Sequence, residues 1–303
     1  MITMTRERQG EIAIILSALL WAVFPVATIL TFSSITPLFS AALSTLISAA
    51  FFSVVLTLKR EWSSLFERLA WKPIALASLF IGIAFYGLIF TGLRYTTAGN
   101  ESIISLMEVF FSFLILGVLL RHERPGGRSI TGGGCMLAGA ALVLLPKTSG
   151  WHAGDLLVLL ATAVAPIGNL YTQRARTFVS ASFIMFCRSL LSGCFLLLIA
   201  VAFDPLPSSQ DITQSLGFLA ANGILFLGLS KILWIESIHR LSITKVVSLE
   251  SISPLFTLLV AQVLLHEQVN VLQISGLIPI LIGVFLLTKK PKYSPEIEAS
   301  LQG

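Results

Sequence analysis

The sequence predicts an all-α membrane protein with ten transmembrane helices, and three observations support this fold class. First, 55% of the 303 residues are hydrophobic and only 12% are charged, about half the charged fraction of a soluble domain. Second, the apolar residues form runs of ~20, the length that a helix needs to cross a bilayer. Third, these runs are about twice as long as the ~10-residue alternating strands of a membrane β-barrel.

The ten apolar runs follow one another with short connections and leave no room for a soluble domain. A polar tail follows the last run. The predicted spans are residues 11–31, 36–58, 73–93, 98–120, 129–146, 153–172, 180–203, 211–238, 243–265 and 270–288.

The basic residues fall mainly on one side of this predicted topology. If the N-terminus is cytoplasmic, the inside segments carry fifteen Lys and Arg residues, and the outside loops carry two, Arg94 and Lys147. This asymmetry places both termini in the cytoplasm and predicts a multi-pass protein of the cytoplasmic membrane. It also accounts for the net charge of +5 without a nucleic-acid partner.

The chain repeats itself at an offset of about 145 residues. Gly132 and Gly139 then coincide with Gly276 and Gly283, and both copies share the order of their other features. The two units are residues 1–148 and 149–303, and each holds five spans. Because five is odd, the second unit enters the membrane in the opposite sense. Inverted repeats of this kind place a binding site near the midplane, where the units meet.

The second-unit segment LSITKVVSLESISPLFTLLVAQVLLHE, followed by ISGLIPILIGVFLL, resembles a known repeat signature. It has a proline in the helix, a terminal glutamate and a helix with two glycines seven residues apart. The chain is similar in this respect to the EamA-type branch of the drug/metabolite transporter superfamily. The resemblance implies a ten-helix, five-plus-five transporter. In such a protein the first, third, fourth, sixth, eighth and ninth helices line a central cavity.

Three acids interrupt the apolar spans. A charge at the bilayer centre costs about 2.5–3.5 kcal/mol on insertion scales, so such residues usually face a cavity or a partner. Glu108 and Glu250 lie near the middle of the fourth and ninth spans. We predict that both contact substrate and carry protons, with an internal ion pair as the alternative. Glu101 is a third candidate proton carrier, although it lies close enough to the outer surface to be solvated.

The three acids belong to two polar stripes at helical spacing. Glu101, Ser105, Glu108 and Ser112 share one face of the fourth helix, and Glu250, Ser253 and Thr257 share one face of the ninth. Two such stripes facing each other would form an aqueous, acid-lined pathway.

Two cations also lie inside predicted spans. Lys231 and Arg188 are candidate substrate ligands, but each lies within reach of the cytoplasmic interface and could instead extend its charge there. Tyr86 coincides with Lys231 under the repeat, and Trp234 shares a face with Lys231. Both are therefore candidate binding residues. An interior with both signs of charge suits a zwitterion or an organic ion.

Two further residues are weaker candidates for substrate binding. Trp21 lies in the middle of its span, away from the interface where tryptophans usually anchor a helix. Asn169 shares a face with Gln173 in the sixth span, where hydrogen bonding between helices is the alternative role.

Other motifs predict no further chemistry. The Gly132–Gly134 run lies in no strand–turn–helix context, and the pairs His122-Glu123 and His266-Glu267 lack the second histidine of a zinc helix. We interpret the glycines as helix contacts and the His-Glu pairs as turns into the following spans. We predict no metal, no cofactor, and no disulfide among the three cysteines, which all lie in spans.

The sequence therefore predicts a secondary transporter, not an enzyme, that moves a small organic metabolite by alternating access as a monomer or a homodimer. Export of an amino-acid-like compound is the first expectation from the resemblance. Proton coupling is expected through Glu108 and Glu250, because withdrawal from water disfavours the charged form of a carboxyl group. Uptake, uncoupled facilitation and an intramembrane lipid-modifying enzyme remain as alternatives.

Overall fold

The computed structural model describes residues 5–115, 127–144, 153–238, 240–241, 246 and 249–288. Over these ranges the protein is helical and contains no strand, so the all-α prediction is confirmed. Nine of the described helices are long and apolar enough to cross a membrane, and one further apolar helix is shorter. The helices are α1 (Arg6–Thr31), α2 (Pro37–Lys59), α3 (Arg68–Leu93), α4 (Ala98–Ile115), α5 (Gly127–Leu144), α6 (Ala153–Arg176), α7 (Ala181–Phe203), α8 (Ser209–Ser237), α9 (Ser253–Leu264) and α10 (Val271–Thr288).

These helices coincide with the ten predicted spans, with one clear difference. The ninth span was predicted to begin at residue 243, but α9 begins at Ser253 after a turn at residues 251–252. Pro254 explains this start because proline lacks an N–H donor and is favoured in the first turn of a helix. Residues 242–245, 247–248, 116–126 and 289–303 lie outside the described ranges. The latter two include His122-Glu123 and the polar tail.

The helices α2 and α7 form an antiparallel pair that two side-chain hydrogen bonds join, one at each end. Thr36 precedes α2 and donates its hydroxyl to Asp204 Oδ2, just beyond the end of α7, at 2.5 Å. Ser180 precedes α7 and donates its hydroxyl to Glu61 Oε2, just beyond the end of α2, at 2.5 Å. Under the predicted repeat these two contacts are equivalent, so each helix start is tied to the end of its counterpart.

The helices α5 and α10 approach each other through glycine. A Cβ atom added to Gly139 would lie 2.4 Å from the Gly276 carbonyl oxygen, and one added to Gly276 would lie 2.6 Å from the Gly139 oxygen. Gly132 and Gly283 face each other in the same way. The interpretation of the first-unit glycines as helix contacts is therefore confirmed for Gly132 and Gly139, and it is wrong for Gly134, which is exposed and has no atom within 4 Å of an added Cβ.

Two helices contain a π-helical segment at equivalent places. Residues Ser78–Phe85 of α3 and Ala221–Leu229 of α8 adopt this wider winding. The segment in α3 packs on α7, since a Cβ on Gly82 would lie 2.4 Å from Ser192 Cβ. The segment in α8 packs on α2, where Ser48 donates its hydroxyl to the Leu227 carbonyl at 3.3 Å. Such segments often occur at functional sites.

The two ends of the helix bundle differ in charge. Described basic residues collect where α1 and α3 begin and where α2, α6 and α8 end; this is the basic end. Asp155, Asp204 and Glu267 lie at the opposite, acidic end. Between the ends, large apolar side chains such as Leu137 and Ile282 are about half exposed, as expected for a lipid-facing surface.

Glu267 caps the N-terminus of α4. Its carboxylate accepts hydrogen bonds from the backbone amides of Ala98 at 2.9 Å and Gly99 at 3.2 Å. The preceding residue, His266, has a left-handed backbone with φ 55°. The pair lies in the turn into the following span, as expected, and the carboxylate has in addition a capping role that the sequence did not predict. The carboxylate satisfies two free N–H groups and lies at the positive end of the α4 dipole.

We expect Glu267→Ala to lower stability by about 0.5–2 kcal/mol, because it removes the cap from two backbone donors. The measurement is the thermal unfolding midpoint of the purified protein in detergent. The control is Glu67→Ala, since Glu67 also precedes a helix but makes no side-chain capping bond. Equal midpoints for the two variants would contradict the capping role.

Candidate functional site

Glu108 projects from α4 toward α6. Its Oε1 atom accepts a hydrogen bond from Asn169 Nδ2 at 2.7 Å. The carboxylate therefore has a neutral donor as its partner. Asn169 was a weak candidate from the sequence, and the structure places it against the acid. Its helical neighbour Gln173 lies exposed.

Glu250 lies in the segment before α9 and contacts α8. Trp234 Nε1 donates to Glu250 Oε2 at 3.0 Å. The indole thus provides a hydrogen bond to the acid in addition to an aromatic surface. The two central acids share this arrangement, because each is held by an uncharged donor from another helix.

Lys231 of α8 points toward α1. Its Nζ atom lies 3.5 Å from the centre of the Trp21 ring, a cation–π contact. Trp21 in turn stacks on Phe24, with ring centres 4.7 Å apart and planes 8° apart. The Lys231 ammonium is therefore turned to the interior, and the alternative that it extends to the interface is wrong.

Arg188 of α7 and Tyr86 of α3 are both buried, at 6% and 4% exposure. Gly82 of α3 lies against the arginine side chain, since a Cβ there would be 3.5 Å from Arg188 Cγ. The Arg188 guanidinium lies within electrostatic range of the Tyr86 hydroxyl and of the Lys231 ammonium. Arg188 therefore also faces the interior, contrary to the interfacial alternative.

These residues form one group, which we call the central cluster. The Lys231 ammonium attracts the carboxylates of both Glu108 and Glu250, and the two carboxylates repel each other. Within the described ranges, an ion pair closer than 4 Å occurs at Glu236–Arg240 and nowhere in this cluster. The central cluster comprises Trp21, Tyr86, Glu108, Asn169, Arg188, Lys231, Trp234 and Glu250.

Five side chains of the central cluster retain some accessible surface. They are Glu108, Asn169, Lys231, Trp234 and Glu250, each partly buried, and they come from three helices and the segment before α9. We expect a small solute to contact this surface.

Glu101 lies apart from the central cluster. It is 3% exposed, and its Oε1 atom accepts a hydrogen bond from Ser105 at 2.9 Å. The alternative that this acid is simply solvated is therefore wrong.

The predicted polar stripes are interrupted. A turn at residues 251–252 separates Glu250 from the rest of its stripe, and Ser253 donates to the Ala18 carbonyl at 3.2 Å. Thr257 is fully buried and donates to the Ser253 carbonyl. This part of α9 packs on α1, so the stripe predicted from Glu250 to Thr257 does not form one continuous helical face.

A second polar group joins the helices at the acidic end, and sequence reasoning missed it. Asn100 of α4 donates through Nδ2 to both oxygens of Asp155 at 3.1 and 3.0 Å. Gln273 of α10 donates to Asn100 Oδ1 at 2.8 Å. The only sequence signal was the pairing of Gly154-Asp155 with Gly10-Glu11, which does not indicate the partner.

Two surface clefts open near this acidic end, with volumes of about 410 and 440 Å³. Both are lined by Phe32, Ser33 and Arg94, and no residue of the central cluster lines either one. Within the described ranges no three His, Cys, Asp or Glu side chains are placed to hold a metal ion.

Comparison with known proteins gives consistent matches. The model of the EamA-like transporter family matches twice, over residues 8–145 and 152–289. The uncharacterized transporter YoaV of Bacillus subtilis is 23% identical over 281 residues, which cover 91% of this chain and 96% of YoaV. The uncharacterized transporter YvbV of the same organism is 25% identical and covers 84% of each chain. A solved crystal structure shares the fold with a TM-score of 0.63 at 18% identity, covering 98% of this chain and all of that one.

Proposed function

Because this chain belongs to the EamA-like transporter family, we propose that it is a secondary active transporter of the cytoplasmic membrane that exports a small organic metabolite. The observation that carries this proposal is the central cluster. Two acids, two cations and three aromatic side chains from different helices meet in the interior of an apolar bundle. Such groups are costly in a membrane and usually mark a substrate pathway.

The proposed architecture is a pair of inverted five-helix units, residues 1–148 and 149–303, with both termini in the cytoplasm. The two matches of the family model, the equivalent hydrogen bonds at the two ends of the α2–α7 pair and the equivalent π-helical segments support it. The excess of Lys and Arg at the basic end supports a cytoplasmic location for that end. Rocking of one unit against the other would then expose the central cluster to each side in turn.

Proton coupling is proposed to use Glu108 and Glu250, with Glu101 as a further carrier. Neither central acid is neutralised by an ion pair closer than 4 Å within the described ranges, and each has a neutral hydrogen-bond donor. A carboxyl group in this setting can release its proton when a solute cation arrives. Competition between proton and solute for one carboxylate gives antiport. The substrate class proposed is an amino-acid-like compound or a drug-like organic ion.

The test is transport by purified protein in proteoliposomes. Thermal-shift screening against amino acids, nucleosides, polyamines and quaternary amines first selects the solute. We expect an imposed pH gradient to drive uphill movement of that solute by the wild type and by the control Glu67→Gln. The double variant Glu108→Gln, Glu250→Gln should lose uphill movement, because neither position can then exchange a proton.

Each contrary outcome has a defined meaning. Undiminished coupling in the double variant would show that these acids are not the proton carriers. Downhill flux without uphill movement in the wild type would favour an uncoupled facilitator. The absence of flux for every selected solute would reject transport of these classes.

A further inference from the structure

The Arg188 guanidinium lies inside the protein without a partner. The residue is 6% exposed, and within the described ranges its side chain makes no hydrogen bond and no ion pair closer than 4 Å. A guanidinium has five N–H donors and stays charged at any physiological pH. A buried charge without a partner is strongly unfavourable. Among the residues that the structure describes, no acceptor therefore receives these donors.

The surroundings of Arg188 add positive charge and a second free donor. Tyr86 lies one turn after Gly82, the glycine that packs against the arginine. The Tyr86 hydroxyl is within electrostatic range of the guanidinium. Its hydroxyl makes no hydrogen bond to any residue that the structure describes. Lys231 also lies within electrostatic range of Arg188, and the two cations repel each other. Such a group of donors favours an anion.

The acids of the central cluster do not fill this role. Glu108 is held by Asn169, and Glu250 is held by Trp234. Neither oxygen pair lies within 4 Å of the guanidinium. The Lys231 ammonium lies against the Trp21 ring. The two carboxylates and the Lys231 ammonium thus each contact an uncharged side chain. The Arg188 guanidinium is therefore available to bind an acidic group of a solute.

We infer that Arg188 and Tyr86 form a subsite for an acidic group of the transported solute. The planar guanidinium matches a carboxylate with two parallel hydrogen bonds, and the Tyr86 hydroxyl supplies a third donor. This inference rests on the proposed function and narrows its substrate class to solutes that carry a carboxylate, zwitterionic amino acids included. The carboxylate binds at Arg188, and an ammonium group of the same solute faces the acids across the central cluster.

Matched pairs of solutes test the inference by binding to purified protein in phospholipid-free detergent. Each pair is an amino acid and the amine that remains when its carboxyl group is removed: phenylalanine with phenethylamine, lysine with cadaverine, leucine with isoamylamine. We expect at least one amino acid to raise the thermal midpoint of the wild type while its amine does not. Arg188→Gln should weaken that binding at least about tenfold, since it removes hydrogen bonds to a charged group. The control Arg68→Gln removes an exposed arginine and should bind as the wild type does.

A second measurement separates a ligand-binding arginine from a structural one. Without solute, Arg188→Met should unfold at the same temperature as the wild type or a higher one, because an unpaired buried charge is removed. A lower midpoint would show that Arg188 holds the helices together and would overturn the inference. Equal binding of acids and amines, unchanged binding by Arg188→Gln, or no binding by any pair would also overturn it.

The flux assay keeps this inference distinct from the proposed function. If the protein moves a solute that has no acidic group, the subsite is wrong and the transporter proposal stands. If no solute is transported but amino acids bind in an Arg188-dependent way, the subsite inference is supported and the proposal of active transport is rejected.

Discussion

Leucine in place of Gly139 is expected to prevent the assembly of α5 with α10. A Cβ atom at this position would lie 2.4 Å from the Gly276 carbonyl oxygen and 2.7 Å from Ile280 Cγ1. The first neighbour is backbone, which cannot turn aside as a flexible side chain can. Helices in a bilayer associate largely through close packing, so a forced separation removes the main attraction between them.

The expected loss of stability for Gly139→Leu reaches or exceeds the upper part of the ~1–3 kcal/mol range seen for overpacked interiors. We expect a much lower thermal midpoint in detergent and little monodisperse protein after purification. Gly134→Leu is the matched control, because Gly134 lies on the same helix, is exposed, and has no atom within 4 Å of an added Cβ. If the two variants have the same midpoint, the glycine contact does not hold these helices together.

The repeat in the sequence predicts part of this contact. Aligning the two units places Gly132 and Gly139 on Gly276 and Gly283, and glycine in a membrane helix indicates close packing. The sequence does not show that Gly139 faces Gly276 and Gly132 faces Gly283, because these are not the pairs that the repeat aligns. Hydropathy measures the preference of a side chain for apolar surroundings over water. This preference does not indicate which two helices pack together, because every membrane helix is apolar.

The charged residues of the central cluster could be predicted, and their partners could not. Glu108, Glu250 and Lys231 are conspicuous because charge is rare in an apolar span. Their contacts with Asn169 and Trp21 depend on how helices distant in sequence are placed side by side. Helical spacing gives the face of one helix but does not identify the neighbour on that face.

One local prediction failed and one contact was missed, each for an identifiable reason. The stripe through Glu250 and Ser253 assumed an unbroken helix, but the chain turns just before Pro254 and α9 starts there. Glu267 was interpreted as part of a turn, and its cap on α4, which lies 169 residues earlier in the chain, was missed. In both cases a backbone requirement, the lack of a proline N–H or the free donors of a helix start, decided the structure.

A thiol placed at position 108 is expected to react with a water-soluble reagent although it lies in a membrane span. Glu108 is partly exposed and lies among polar side chains from several helices. Water that reaches the central cluster will carry a charged reagent to it. A thiol on the lipid-facing surface lacks that access, because a charged reagent does not enter hydrocarbon.

The variant Glu108→Cys is made in a chain in which the three native cysteines, Cys135, Cys187 and Cys194, are replaced by alanine. Leu137→Cys in the same background is the control, since Leu137 is half exposed in the middle of α5, on the surface that we expect to face lipid. Both variants are reconstituted in proteoliposomes and treated with a cationic, membrane-impermeant methanethiosulfonate.

This labelling measures most directly whether the protein encloses a water-accessible, carboxylate-bearing site between its helices. If it does, we expect rapid modification of the thiol at position 108, slower modification when a solute is bound, and no modification at position 137. Equal resistance at both positions would contradict it, because the central cluster would then be a dry contact that no solute can reach.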